Sequence, residues 1–322
     1  MSCPGWYCGR IVLENELSEC GSCPRGYRRN DTSFICEPCQ DLPTFYDWLY
    51  LGFMVLLILV LHWFFIDMVA MRRSFNKDII ILHCSAFIEV IASCILAYSF
   101  NKDIIILHCS AFIEVIASCI LALIVMPPTG KFSINTCQVR SLSDWYTLLH
   151  NPTPNYEQQI HCTQEAVYPL YTIVFVFHTL ALFSMLFFRP WICKKYLPGQ
   201  SKMSIYAAMY FIPILSITHA LIGGLLYYSF PYLVVILSVI SSAAHFSKKM
   251  DQSISSLVIT TVVDPRNMVI LLGHWALHAY GIISITQLTN PTVHSLLIVL
   301  VPLPALFYIF TAKFTDPTKF HV

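Results

Sequence analysis

The sequence predicts an all-α polytopic membrane protein of about seven transmembrane helices, with a small disulfide-rich head at its N-terminus. Three observations predict it. Of 322 residues, 57% are hydrophobic and only 11% charged, where soluble domains carry about 25% charge. The apolar residues gather into runs that approach or exceed the ~20 residues needed to cross a bilayer. Thirteen cysteines are present, and six of them (Cys3, Cys8, Cys20, Cys23, Cys36, Cys39) precede the first run.

Formal net charge is +1, which gives no nucleic-acid footprint and no acidic tail. The opening MSCPGWYCGR has no basic segment leading into an apolar one, so no cleavable signal peptide is expected and the first membrane helix serves as the targeting signal. Apolar runs fall at about 48–66, 79–97, 104–125, 166–188, 205–227, 231–246, 268–286 and 293–310, eight in all. Two of them are one segment, because residues 74–97 (SFNKDIIILHCSAFIEVIASCILA) recur letter for letter as 99–122. Structural repeats diverge and survive as weak similarity. Perfect identity points instead to a recent duplication or a sequence-assembly error.

Basic residues close to helix ends stay in the cytosol. One crossing for the duplicated region, with the N-terminus outside, puts Arg72, Arg73 and Lys77, then Arg189, Lys194, Lys195 and Lys202, then Lys248, Lys249 and Arg266, and finally Lys313 and Lys319 on the cytosolic side. Two crossings would turn the groups around Lys194 and Lys248 to the lumen. The expected organisation is therefore a lumenal head (1–45), a helical bundle (46–313) with a lumenal loop (127–165), and a short cytosolic tail (314–322).

The head cysteines allow two chemistries. Cys20-x-x-Cys23 and Cys36-x-x-Cys39, twelve residues apart, have the spacing of a tetrathiolate zinc site. An even number of cysteines in a segment with almost no core also suits a disulfide module in an oxidising compartment. A lumenal head selects disulfides. Cys137 and Cys162, in the loop, are either a further bridge or two free thiols. Asn30-Asp31-Thr32 is an acceptor for N-glycosylation on the lumenal side. Ser141-x-x-Asp144 resembles a capping pattern, and Trp145, Leu148 and Leu149 make an apolar stripe, so a short interfacial helix is expected there.

Polar groups at bilayer depth mark function or helix pairing. Glu89 and its copy Glu114 lie mid-helix, expected to face other helices and to be protonated or paired with a histidine or hydroxyl. His274 and His278, at i and i+4 on one helix face, allow an intramembrane zinc hydrolase to be drawn. No HExxH or fixed base accompanies them, and histidines that bridge helices by hydrogen bonds explain them as well. Gly223-Gly224 with Pro213 marks close helix packing, LLYYSFPY (225–232) a tight turn, and Pro302 with Pro304 a distorted last helix. No phosphate loop, nucleophile elbow or voltage sensor appears; neither catalytic residues nor a cofactor are expected.

Several strings carry a family resemblance: YDWLYLGFM (46–54), LHWFFID (61–67), LSDWYTLLHNPTPNY (142–156), HCTQEAVYPLYTIVF (161–175), GGLLYYSFPY (223–232), HWALHAYGIISI (274–285) and VPLPALFYIFTAKFTDP (301–317), with CGSCPRGYR and CEPC in the head. These resemble JAMP, the Jun-kinase-associated membrane protein family. The resemblance implies a seven-span protein of the endoplasmic reticulum, a non-enzymatic adaptor in ER-associated degradation and the unfolded-protein response. Its implied partners are the proteasome, a membrane ubiquitin ligase, a stress-activated Jun kinase and the lipid bilayer. The family pattern has one copy of the duplicated helix, and a kinase or proteasome dock carried by a longer tail is expected to be reduced in FTDPTKFHV (314–322). An intramembrane zinc hydrolase, or a seven-helix receptor or transporter, stands as the alternative.

Overall fold

The computed structural model describes residues 2–13, 16–70, 102–126, 134–150, 162, 164–196, 202–247, 249 and 251–315. The first copy of the duplicated segment, with Glu89, lies outside the described residues.

The head is built from three two-stranded antiparallel ladders. They are β1 (Cys8–Gly9) with β4 (Gly21–Ser22), β2 (Val12–Leu13) with β3 (Glu16–Leu17), and β5 (Tyr27–Arg29) with β6 (Cys36–Pro38). Strands of two or three residues are too short to hold themselves. Cross-links hold them: Cys3 is bonded to Cys20, Cys8 to Cys162, Cys23 to Cys36 and Cys39 to Cys137. The four thiols with zinc-like spacing thus go to three bridges, Cys23 and Cys36 sharing one. A bridge between Cys137 and Cys162 is not formed, because each reaches back to the head instead and ties it to the loop. Gly9 lies against the Cys23–Cys36 bridge, where a Cβ would come within 2.7 and 2.8 Å of the two sulfurs.

Helix α1 (Phe45–Ala70) starts where Thr44 and Asp47 cap each other's backbone N–H groups, at 2.7 Å (Thr44 N to Asp47) and 3.2 Å (Asp47 N to Thr44). Helix α2 (Lys102–Val125) is the second copy of the duplicated segment. After the loop come α3 (Leu170–Tyr196), α4 (Lys202–Ser247), α5 (Ile254–Val263), α6 (Pro265–Thr286), α7 (Pro291–Leu297) and α8 (Leu303–Thr315). Five stretches are long and apolar enough to cross a membrane: Phe45–Ile66, Ile106–Val125, Leu170–Lys195, Lys202–Ser247 and Pro291–Ala312. Among the described residues the protein is therefore mostly helical, with five candidate spans and a disulfide-bonded head.

Three local expectations change. The two apolar runs expected as separate helices do form two helical stretches in succession within α4, 46 residues or about twice the ~20 of one crossing, but the kink between them falls at Ile222 instead of after Tyr227. The turn expected at 225–232 is helical; the non-helical residue is Ile222 (φ −126°, ψ 20°). Pro231 removes the donor that the Tyr227 carbonyl would meet, but the Tyr46 hydroxyl donates to that carbonyl at 2.7 Å, so the helix runs on. The second change is α5, for which the sequence gives no apolar run of spanning length. Its β-branched residues favour helix poorly; a Ser253 cap and burial of Leu257 and Thr261 compensate. Leu257 packs with Phe246, Leu271 and Ile309. The third is in the loop, where the expected helix is two 3-10 turns, Leu142–Trp145 and Thr147–His150. Trp145 is buried while Leu148 and Leu149 are exposed, so the apolar stripe is split between two directions.

The chain divides into two compact units. One comprises Met1–Met54, Ile116–Phe183 and Ile212–Tyr228, and the other Val55–Val115, Ser184–Phe211 and Ser229–Val322.

Candidate functional site

In the first unit the loop is fastened to the head at Asp144. Its buried carboxylate accepts from the Tyr7 hydroxyl (3.0 Å), from Arg28 Nη2 at both oxygens (3.2 Å each) and from the backbone N–H groups of Arg140 (2.9 Å) and Ser141 (3.2 Å). Burial, offset by a hydrogen bond with Ser143 and reinforced by the Asp144 charge, pushes the Tyr7 phenol up to about 12. The next residue, Trp145, enters a cluster of rings from three helices, with centroids at 5.8 Å (Tyr50), 6.3 Å (Tyr171), 5.2 Å (Tyr227) and 6.2 Å (His219). Gly224 makes room for it, since a Cβ there would lie 2.7 Å from the Trp145 Cβ. The close packing read from Gly223-Gly224 is thus packing against a loop side chain, next to the break at Ile222. Tyr227 donates to Asp47 at 2.6 Å, and the Tyr50 hydroxyl lies 3.2 Å from His219 Nδ1.

The second unit holds a buried ion pair. Arg189, with no exposed surface, reaches Glu114 through Nη2 (2.6 Å to Oε2) and Nε (3.4 Å to Oε1). Ser110, one turn earlier on α2, donates to Glu114 Oε1 at 2.5 Å. Arg189 Nη1 lies 3.1 Å from His62 Nδ1. A guanidinium has no acceptor, so His62 Nδ1 accepts and its proton sits on Nε2. The pair joins α1, α2 and α3. Glu114 was expected to pair with a histidine or hydroxyl; its hydroxyl partner is Ser110, and its main partner is an arginine. Arg189, counted in the sequence among the basic residues near helix ends, has its side chain turned inward and fully buried. The missed signal was an arginine inside an apolar stretch (LFFRPWI, 186–192), five residues ahead of Lys194, with an acid at depth in another helix.

His278 Nδ1 lies 2.9 Å from Ser238 Oγ on α4, and the His274 ring lies 6.1 Å from that of His245. The two histidines therefore meet different partners along the α4–α6 seam. Among the described residues no group of three or more His, Cys, Asp or Glu side chains is placed to hold a metal. In the head, Asn30 Oδ1 accepts from Thr32 N (2.9 Å) and Thr32 Oγ1 (2.7 Å), while Asn30 Nδ2 donates to Glu37 Oε1 (2.8 Å).

A disulfide-stapled head covalently joined to the loop of an apolar helical bundle, with a charge pair buried among the helices, defines a multi-helix membrane protein with a cross-linked extramembrane module. Comparison with known proteins gives the family. The sequence profile described as JNK1/MAPK8-associated membrane protein matches residues 3–102 and 95–317, and the chain belongs to that family. The two matches overlap where the copies of the duplicated segment meet. Mouse and human proteins named JNK1/MAPK8-associated membrane protein are each 42% identical over 327 residues, covering 99% of this chain and 95% of theirs. A Caenorhabditis elegans homologue is 28% identical over 334 residues, covering 98% and 94%. No solved structure matches.

Proposed function

We propose that this chain is a non-enzymatic adaptor of the endoplasmic reticulum membrane that binds a stress-activated Jun kinase and recruits proteasome and ubiquitin-ligase components in ER-associated degradation and the unfolded-protein response. The observation that carries the reading is the 42% identity along 99% of the chain with relatives named for association with JNK1/MAPK8. Four disulfides support placing the head in an oxidising lumen, because thiols stay reduced in the cytosol. In this arrangement the head (1–45) and loop (127–165) face the lumen, the bundle (46–313) holds the chain in the membrane, and the basic loops with the tail (314–322) meet the cytosolic machinery. The buried Arg189–Glu114 pair acts as a lock between helices, with its charges satisfied internally rather than offered to an ion.

The test is affinity purification of the tagged full chain from cells with and without ER stress. Jun kinase and proteasome subunits are expected to co-purify, more strongly under stress. Absence of both, while the human relative handled in parallel retains its kinase, overturns the reading.

A further inference from the structure

The head contains a groove that neither the disulfide framework nor the Asp144 contacts explain. It measures about 490 Å³ and is lined by Arg28, Asn30, Glu37, Asp41, Gln138 and Arg140 among others, with the bridged Cys39 and Cys137 in its wall. That volume is in the range of small-molecule sites, about 300–1,000 Å³. Three arginines (Arg28, Arg29, Arg140) and three acids (Asp31, Glu37, Asp41) are among the lining residues; Arg28 is engaged with Asp144, and Arg140 pairs with Asp31 at 2.8 Å. With both signs of charge present and the arginines already paired, the groove offers no concentrated field for an ion. Closely spaced donors and acceptors suit a neutral polyhydroxylated ligand, whose hydroxyls do both.

Asn30 is part of the same wall, and Asn30-Asp31-Thr32 is the one Asn-x-Ser/Thr acceptor in the sequence without an intervening proline. Its carbonyl is held by both the backbone and the hydroxyl of Thr32, and its amide nitrogen points to Glu37 on the neighbouring strand β6. We propose that Asn30 carries an N-linked oligosaccharide whose first sugars lie in this groove. Transfer forms a bond between Asn30 Nδ2 and C1 of the terminal sugar of a polyprenyl-diphosphate-linked oligosaccharide and breaks the C1–O bond to phosphate. The polyprenyl diphosphate leaves, and one amide proton passes to the base of the transferase. The product is a secondary amide that keeps one N–H, which continues to donate to Glu37. Glu37 thereby fixes the plane of the linkage, and Gln138, Arg140 and Asp41 are left to meet the sugar hydroxyls. The inference rests on the lumenal orientation proposed above, since the acceptor is used only there.

The full chain, expressed in cells, is compared before and after peptide N-glycosidase treatment. A shift of one glycan is expected, abolished by Asn30→Gln and by Thr32→Ala; a wild-type chain that does not shift overturns the proposal. The substitution Glu16→Asn, on exposed β3, completes a second acceptor with Leu17 and Ser18. Placed in the Asn30→Gln background, it separates the two ideas. A shift there with none in the wild type refutes the Asn30 site and leaves the orientation standing, while no shift in either removes both. For the groove, the glycosidase is expected to release the glycan several-fold more slowly from native protein than from reduced, denatured protein. Gln138→Ala with Arg140→Ala is expected to speed the native release. Equal rates in native wild type and denatured protein overturn the groove as its seat.

Discussion

Two buried acid–arginine pairs, one in each compact unit, are built alike and supported differently. In both, the arginine reaches both oxygens of the acid, Arg28 on Asp144 and Arg189 on Glu114. In both, a serine a few residues earlier adds a hydrogen bond, from the Ser141 backbone and from the Ser110 hydroxyl. The Asp144 pair sits between disulfides that already tie head to loop, and the Arg28 side chain keeps 19% of its surface exposed. The Arg189 pair has 0% and 2% exposed and links three helices among which no disulfide is formed in the described residues. Covalent cross-links and nearby water make the first pair partly redundant. The second has neither.

The largest effect is therefore expected at Arg189. Replacing one member of a buried pair leaves the other charged and desolvated, at a cost of about 3–5 kcal/mol, so Arg189→Met should lower the thermal stability of the detergent-purified protein severely. Adding Glu114→Leu removes the stranded charge, and the double variant is expected to recover most of the loss. A hydroxyl left by Glu114 can turn to the carbonyl one turn back on its own helix, which keeps Ser110 from becoming a new defect. Equal stability of the single and double variants would show that a stranded Glu114 is not what the Arg189→Met variant suffers from.

The same contrast explains what the sequence made legible. Membrane class, the head and most helices could be read because each rests on a local quantity: apolar run length, cysteine density, a capping pattern. The helix expected around Trp145 failed because its periodicity treats three apolar residues as one face, whereas Trp145 is claimed by Tyr50, Tyr227 and the space above Gly224. The turn expected in LLYYSFPY failed because a single tyrosine, Tyr46, repairs the backbone defect that Pro231 creates from 185 residues away in sequence. The burial of Arg189 is hidden from the sequence for a related reason. A count of positive charges near helix ends cannot tell a side chain that reaches water from one that turns inward to an acid on another helix. The pairing of Cys137 and Cys162 with the head also depends on which segments meet, which spacing alone does not hold.

A smaller effect is expected at Asp144. Asp144→Asn keeps an oxygen for the Ser141 and Arg140 backbone donors but gives up the charge that Arg28 meets, and Arg28 can turn partly to water. The cost should be about 1–3 kcal/mol, below that of Arg189→Met. Combining Asp144→Asn with Cys39→Ser and Cys137→Ser removes the redundancy, and the loss from Asp144→Asn should then grow. Thermal unfolding of the four chains in one detergent measures this directly, and a loss of the same size with and without the Cys39–Cys137 bridge would sink the idea that the bridge backs the pair.

The smallest effect is at Tyr7, and pH gives it a sign. Tyr7→Phe removes one hydrogen bond to Asp144, worth about 1 kcal/mol at neutral pH. Above the ordinary phenol value of 10.0 the unfolded chain loses the Tyr7 proton, while the folded chain holds it up to about 12. Folding stability from this group is therefore complete below pH 10.0 and is lost as pH rises toward about 12. The phenylalanine variant has no proton to lose, so the stability gap between it and the wild type should narrow or reverse between pH 9 and pH 11.5, on the order of the step those pKa values imply. Other tyrosines titrate identically in both chains and cancel in the difference. A gap that stays constant across this range would mean that Tyr7 titrates as it does in the unfolded chain, and that the head around Asp144 is open to water rather than closed over it.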